Sequence, residues 1–78
     1  PNPFNPTTKI TFNMAKAGYV KVSVFNIMGQ EVAVLFNGYA KEGQNVVNFN
    51  AAGLNSGIYF CKMEANEFKS MIKMMLIK

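Results

Sequence analysis

Val20-Lys21-Val22-Ser23-Val24-Phe25, the stretch VKVSVF at residues 20–25, decides the fold. Valine returns at every second position, and a side-chain period of two belongs to a strand with one buried face, not to a helix. Lys21, Ser23 and Phe25 then take the opposite face. The same rhythm runs through the chain. Val32 and Val34 alternate with Glu31 and Ala33, Val47 and Phe49 with Asn48 and Asn50, and Tyr59, Cys61 and Met63 with Phe60, Lys62 and Glu64. Near the end, Phe68, Ile72, Met74 and Leu76 share one parity while Lys69 and Lys73 take the other. Each strand is expected to turn one face to a core.

Turn formers stand between these runs: Lys16-Ala17-Gly18, Met28-Gly29-Gln30, Asn37-Gly38, Glu42-Gly43, Asn55-Ser56-Gly57 and Ala65-Asn66. Glycine and asparagine supply the positive φ angles that tight turns require. Strands are expected at 9–14, 18–27, 31–37, 44–50, 57–65 and 67–77, with room for a short extra one around Tyr39-Ala40. No helical segment separates them. Six or seven short antiparallel strands in this order read as an all-β fold, a β-sandwich.

The first six residues, PNPFNP, behave differently. Pro1, Pro3 and Pro6 have no amide proton and a fixed φ, and Asn2 and Asn5, each before a proline, are held extended. Residues 1–8 read as a Pro/Asn-rich leader and 9–78 as the sandwich. Phe4 is the one leader side chain large enough to anchor it. The chain opens on a proline, so it is expected to be one domain of something longer.

Composition narrows the function. Seventy-eight residues allow one small domain, which buries only about 60–65% of its unfolded surface. Half the residues are hydrophobic and ten are Phe or Tyr, a globular composition and not a disordered one. The net charge of +4 comes from lysine alone, spaced singly, with no arginine. Nucleic-acid binding favours clustered basic residues with stacking aromatics, so no nucleic-acid partner is expected. The longest apolar run, Val32–Phe36, is five residues, against about 20 for a spanning helix. Cys61 is the sole cysteine and reads as a buried, inert thiol.

Catalytic chemistry is missing. With no His and no Asp, no Ser-His-Asp or Cys-His arrangement can form. The four carboxylates are Glu31, Glu42, Glu64 and Glu67, and the last two flank the Ala65-Asn66 turn as solvated charge. No set of ligands suits zinc or a hard cation, so no metal or cofactor is expected. Ser70 and Lys73 have S-x-x-K spacing, which serves acyl transfer on a helix but points to opposite faces on a strand. Carbohydrate-binding sandwiches present rows of Trp or Tyr. This chain has no Trp, and Tyr19, Tyr39 and Tyr59 lie on different segments. The chain is expected not to be an enzyme.

One feature does not fit a plain sandwich. Met71, Met75 and Ile77 fall on the outward parity of the last strand, and Phe25, Ile27, Ile58 and Phe60 are outward in theirs. Strands covered on both faces, or bulges that flip parity, would account for them. So would a surface that a partner covers, for which adaptable methionines are suited. The last strand is also an expected sheet edge.

Five segments carry a family likeness. Residues 1–6, PNPFNP, followed by Thr7-Thr8-Lys9-Ile10-Thr11-Phe12, resemble the opening of the type A C-terminal sorting domains of the type IX secretion system. Val24-Phe25-Asn26-Ile27-Met28-Gly29-Gln30-Glu31-Val32 resembles that family's V-Y-N-x-x-G-Q-E-V segment. Residues 42–50, EGQNVVNFN, resemble its G-x-H-x-V-x-W-D strand, with Asn45, Phe49 and Asn50 where His, Trp and Asp are common. Leu54-Asn55-Ser56-Gly57-Ile58-Tyr59 resembles its L-x-S-G-x-Y segment, and Lys73–Lys78 its closing K-M-x-x-x-K. The matches come in family order and span the chain.

The resemblance implies an immunoglobulin-like β-sandwich at the C-terminus of an exported protein. Such a domain is a non-catalytic signal that carries an upstream cargo domain, already in the periplasm, across the outer membrane. Its partners would be the type IX translocon and a sortase, and its destination secreted or cell-surface. The leader motif is then Asn2, Pro3, Phe4, Asn5 and Pro6, and the turn motif Gly29, Gln30, Glu31, Gly57 and Tyr59. Met71, Lys73, Met75, Ile77 and Lys78 are the candidates for translocon recognition, and the last strand is also a candidate homodimer contact. Two other readings stand beside this one: a structural spacer in a secreted multidomain enzyme such as a glycoside hydrolase, and a flagellar hook-cap-like sandwich.

Overall fold

A computed structural model describes residues 7–66 and 68–77. Leader residues Asn2, Pro3, Phe4, Asn5 and Pro6 lie outside the described residues, as do Glu67 and Lys78. Among those described there is no helix. The six strands are β1 (Thr7–Met14), β2 (Gly18–Asn26), β3 (Glu31–Ala40), β4 (Gly43–Asn50), β5 (Gly57–Ala65) and β6 (Phe68–Leu76). They form two antiparallel sheets, a pair β1-β4 and a four-stranded sheet in the order β3-β2-β5-β6. In immunoglobulin terms β1-β4 occupy the places of strands B and E, and β3-β2-β5-β6 those of C′, C, F and G.

The valines of β2 hold the sheets together. Val20, Val22 and Val24 are fully buried beneath the two-stranded sheet. Val20 and Val22 pack in one cluster with Phe12, Met14, Cys61 and Met63, where the Phe12 and Phe36 rings tilt together with centroids 6.1 Å apart. Val24 packs in a second cluster with Phe49, Ala51 and Tyr59. Ile10, Leu35 and Met74 touch both clusters, so the core is continuous along the sandwich. No buried side-chain nitrogen or oxygen among the described residues lacks a partner.

Several sequence expectations are corrected. Asn37-Gly38 is not a turn. Gly38 faces Val20 and Ala40 faces Gly18 across a ladder that continues through both, and Gly38 has no positive φ. The short strand expected at Tyr39-Ala40 is therefore the end of β3. Val34 does not share the inward face with Val32. Register shifts between Val22 and Ser23 and between Val24 and Phe25 add extra residues to β3, and each such bulge flips the parity beyond it. Val32, Ala33 and Leu35 pack inward, and Val34 is exposed. Ser23 is on the outer face as expected yet is buried, its short side chain lying between its paired neighbours Val34 and Lys62. Thr7 and Thr8, read as leader, pair with Asn50 and Phe49.

Phe68 and Ile72 have the core-facing parity but are exposed. The covering sheet is two strands wide and the sheet below it four, so β6 overhangs the core. Only Met74 and Leu76 of β6 reach it.

Candidate functional site

The turn motif is built from Asn26 outward. Asn26 Oδ1 accepts from the backbone amides of Met28 at 2.9 Å and Gln30 at 3.0 Å, and its Nδ2 donates to Gln30 Oε1 at 2.9 Å. The Asn26 amide donates to the Gln30 carbonyl at 3.0 Å, and the Gly29 amide to the Asn26 carbonyl at 3.0 Å. Gly29 has φ +81°, a left-handed conformation that costs other residues about 1–2 kcal/mol. Gly29 and Gln30 thus close the β2–β3 hairpin, and Glu31 ties it to β2 through Lys21 at 3.0 Å.

Gly57 opens β5 opposite Leu76. The buried Tyr59 hydroxyl donates to the Asn55 carbonyl at 2.7 Å. That contact, early on the F-like strand and two residues before Cys61, is in the position of an immunoglobulin tyrosine corner. Gly29, Gln30, Glu31, Gly57 and Tyr59 therefore all have local structural work in turns and strand starts. Asn26, outside the expected turn motif, is the hub of the first turn. Its spacing of four from Gln30 was the available signal.

The polar chemistry is dispersed. Glu64 meets Lys62 at 3.6 Å and Lys69 at 3.9 Å, and Glu31 is held by Lys21. Burial pushes the Cys61 thiol above its ordinary range, which keeps it protonated and unreactive. Ser70 points inward and Lys73 outward from β6, as their parities on the β5 ladder require. Among the described residues no cluster of His, Cys, Asp and Glu could hold a metal ion. Tyr19 and Tyr39 face each other across β2 and β3, a juxtaposition hidden by their separation in sequence. The Tyr19 hydroxyl donates to Asn37 Oδ1, whereas Tyr59 is buried inside.

Apolar side chains converge on the outer face of β2, β5 and β6. Phe25 faces Phe60, Ile58 faces Met75, and Lys62 faces Met71. The Lys62 ammonium lies 5.7 Å from the centre of the Phe25 ring, a cation–π contact. Phe25, Ile27, Phe60, Lys62 and Met71 line a shallow groove of about 220 Å³. Phe25, Ile58 and Phe60 are half-buried, whereas Met71 is 58% exposed, Met75 67%, and Ile77, just past β6, 79%. Lys73 stands between the two methionines, opposite Phe60. The structure thus puts Met71, Lys73, Met75 and Ile77 along one open strand and its end. A larger cleft of about 760 Å³ lies at the opposite end of the sandwich, walled by Met14, Met63, Ala65 and Phe68.

The termini of the described chain share an end. Thr7 faces Asn50, Gly57 faces Leu76, and only residues 51–56 separate Asn50 from Gly57. Chain arriving from upstream therefore meets the sandwich at the end where β6 finishes.

A family model described as a secretion system C-terminal sorting domain matches residues 1–78. No curated protein and no solved structure matches the chain.

Proposed function

The chain belongs to the secretion system C-terminal sorting domains of type IX secretion, and on that premise we propose that its β6 and adjoining outer face are what the translocon reads. In this reading the domain is a non-catalytic address that carries an upstream cargo domain from the periplasm across the outer membrane. A sortase then acts on the junction upstream of the leader. The observation that carries the reading is the exposed row Met71, Met75 and Ile77 beside the Phe25–Phe60 groove. A small soluble domain seldom leaves such a patch uncovered without a partner for it. Methionine, flexible and polarisable, suits a surface that must fit a receptor while its cargo varies. Met71, Lys73, Met75, Ile77 and Lys78 are the recognition residues in this proposal, and Phe25, Phe60 and Lys62 extend their surface.

The test is a transplant with the fold held constant. Deleting residues 71–78 would remove most of the β5–β6 ladder, so it confounds recognition with folding. Met71→Ser with Met75→Ser leaves the ladder and the inward Met74 and Leu76 in place. The 78-residue chain, fused behind a periplasm-directed fluorescent reporter in a bacterium with a working type IX system, is expected to bring the reporter to the surface or medium. The double variant, folded by circular dichroism, is expected to leave it in the periplasm. Equal export of both overturns the assignment of the surface. Retention of both in the source organism overturns the sorting role and favours a spacer.

A further inference from the structure

Resting on the reading of β6 as part of the recognised surface, we propose that its open edge takes up a partner's extended strand bearing two carboxylates four residues apart, with apolar side chains between them. β6 is bonded on one side only. It runs through nine consecutive pairs with β5, Gly57↔Leu76 to Ala65↔Phe68, without a register shift. Its outer edge is therefore a straight row of backbone donors and acceptors, the template used in strand addition.

The side chains specify what that strand would be. On the outer face the row reads Lys69, Met71, Lys73, Met75. At about 3.4 Å per residue the two lysines stand about 14 Å apart, the separation of positions i and i+4 on an added strand. Lys73 takes part in no ion pair among the described residues. Lys69 reaches Glu64 Oε2 only at 3.9 Å, and Lys62 already approaches that oxygen at 3.6 Å. Carboxylates opposite Lys69 and Lys73, and apolar groups opposite Met71 and Met75, would complete the row. On the inner face Ile72, 56% exposed where β6 overhangs the core, calls for an apolar neighbour.

Charge also weighs against a second copy as the occupant. Antiparallel self-pairing centred on Met71 sets Lys69 against Lys73, and pairing centred on Lys73 sets that lysine against itself. Pairing centred on Ile72 sets lysine against methionine and offers no carboxylate, while joining two chains of net charge +4. Edge lysines commonly deter unwanted pairing. Here the same two residues would repel basic strands and select acidic ones.

The experiment uses the whole isotope-labelled chain and synthetic eleven-residue strands of valine and leucine with threonine at each end. One carries glutamate at its fourth and eighth positions, and two controls carry glutamine or lysine there. The glutamate strand is expected to slow amide exchange along β6 and to bind about tenfold more tightly than the glutamine strand. That preference should shrink as salt rises from about 0.1 M to about 1 M. Lys69→Glu with Lys73→Glu is expected to move the preference to the lysine strand, with β2 and β5 amides confirming the fold. Equal binding of all three strands, or protection on β3 instead of β6, overturns the inference. So does concentration-dependent self-association through β6 that leaves no edge for the peptide. Acidic-strand binding by a chain that fails to export its cargo would sink the sorting role and leave this inference standing.

Discussion

The two edges of the four-stranded sheet are built in opposite ways. β3 joins β2 through a ladder broken by two register shifts, with an Asn26-centred turn at one end and the Lys21–Glu31 and Tyr19–Asn37 contacts along it. β6 joins β5 without a break and carries methionine and lysine in alternation. Bulges twist an edge away from flat pairing, and their absence leaves it open. One edge is irregular and braced to β2 by local polar bonds. The other is left regular, apolar and cationic. The contrast teaches where on a small sandwich to look for a partner.

The largest perturbation should erase that difference. Phe49 lies in the two-stranded sheet, 3% exposed, over Val24 and Tyr59. Phe49→Ala is expected to cost about 3–5 kcal/mol, a large part of the roughly 4–12 kcal/mol available to a chain of this length. Denaturant unfolding should show both edges losing exchange protection together. Protection retained at β6 while β3 loses it would mean that β6 does not depend on the common core.

A paired change should pull the edges apart. Asn26→Ala removes three side-chain bonds from the β2–β3 turn and is expected to cost about 1–2 kcal/mol. Amide exchange should then quicken first in β3. Tyr59→Phe removes the bond to Asn55 at the start of β5 and is expected to cost about 0.5–1.5 kcal/mol, with β5 and β6 responding first. If both variants quicken the same strands, the edges are one cooperative unit.

The smallest effect is read at Cys61, paired with Ile72 of β6 but buried on the inner face. Burial raises its thiol above the unfolded value. Its contribution to stability is therefore intact below the ordinary thiol range and is lost as pH climbs through the raised value. Thiol-reagent labelling should be slow at neutral pH and should speed up in Tyr59→Phe more than in Asn26→Ala. The reverse order would place the weaker seam at β3.

Much of the fold could be read from the sequence, because a period of two around Val20, Val22 and Val24 leaves little choice of element. The errors fall where a two-residue pattern cannot report a third dimension. Asn37-Gly38 has turn chemistry, but β2 is long enough to keep pairing past it. Val34 looks buried until the bulges are counted. Phe68 and Ile72 have inward parity, and only the unequal widths of the two sheets show that nothing lies over them. The outward apolar set was visible as a list of Phe25, Ile27, Ile58, Phe60, Met71, Met75 and Ile77. That Phe25 meets Phe60 and Ile58 meets Met75 depends on the order β2-β5-β6, which local pattern does not encode. Gly29 and Gln30 were picked out by motif, but their dependence on Asn26 needed the hydrogen bonds.

The shared end of Thr7 and Leu76 sets a clearance problem. A receptor holding β6 would have the upstream junction beside its grip, not across the 39 Å length of the molecule. Residues 1–6, even fully extended, can reach only about 20 Å. A bulky domain joined directly to the leader would then crowd the receptor's footprint.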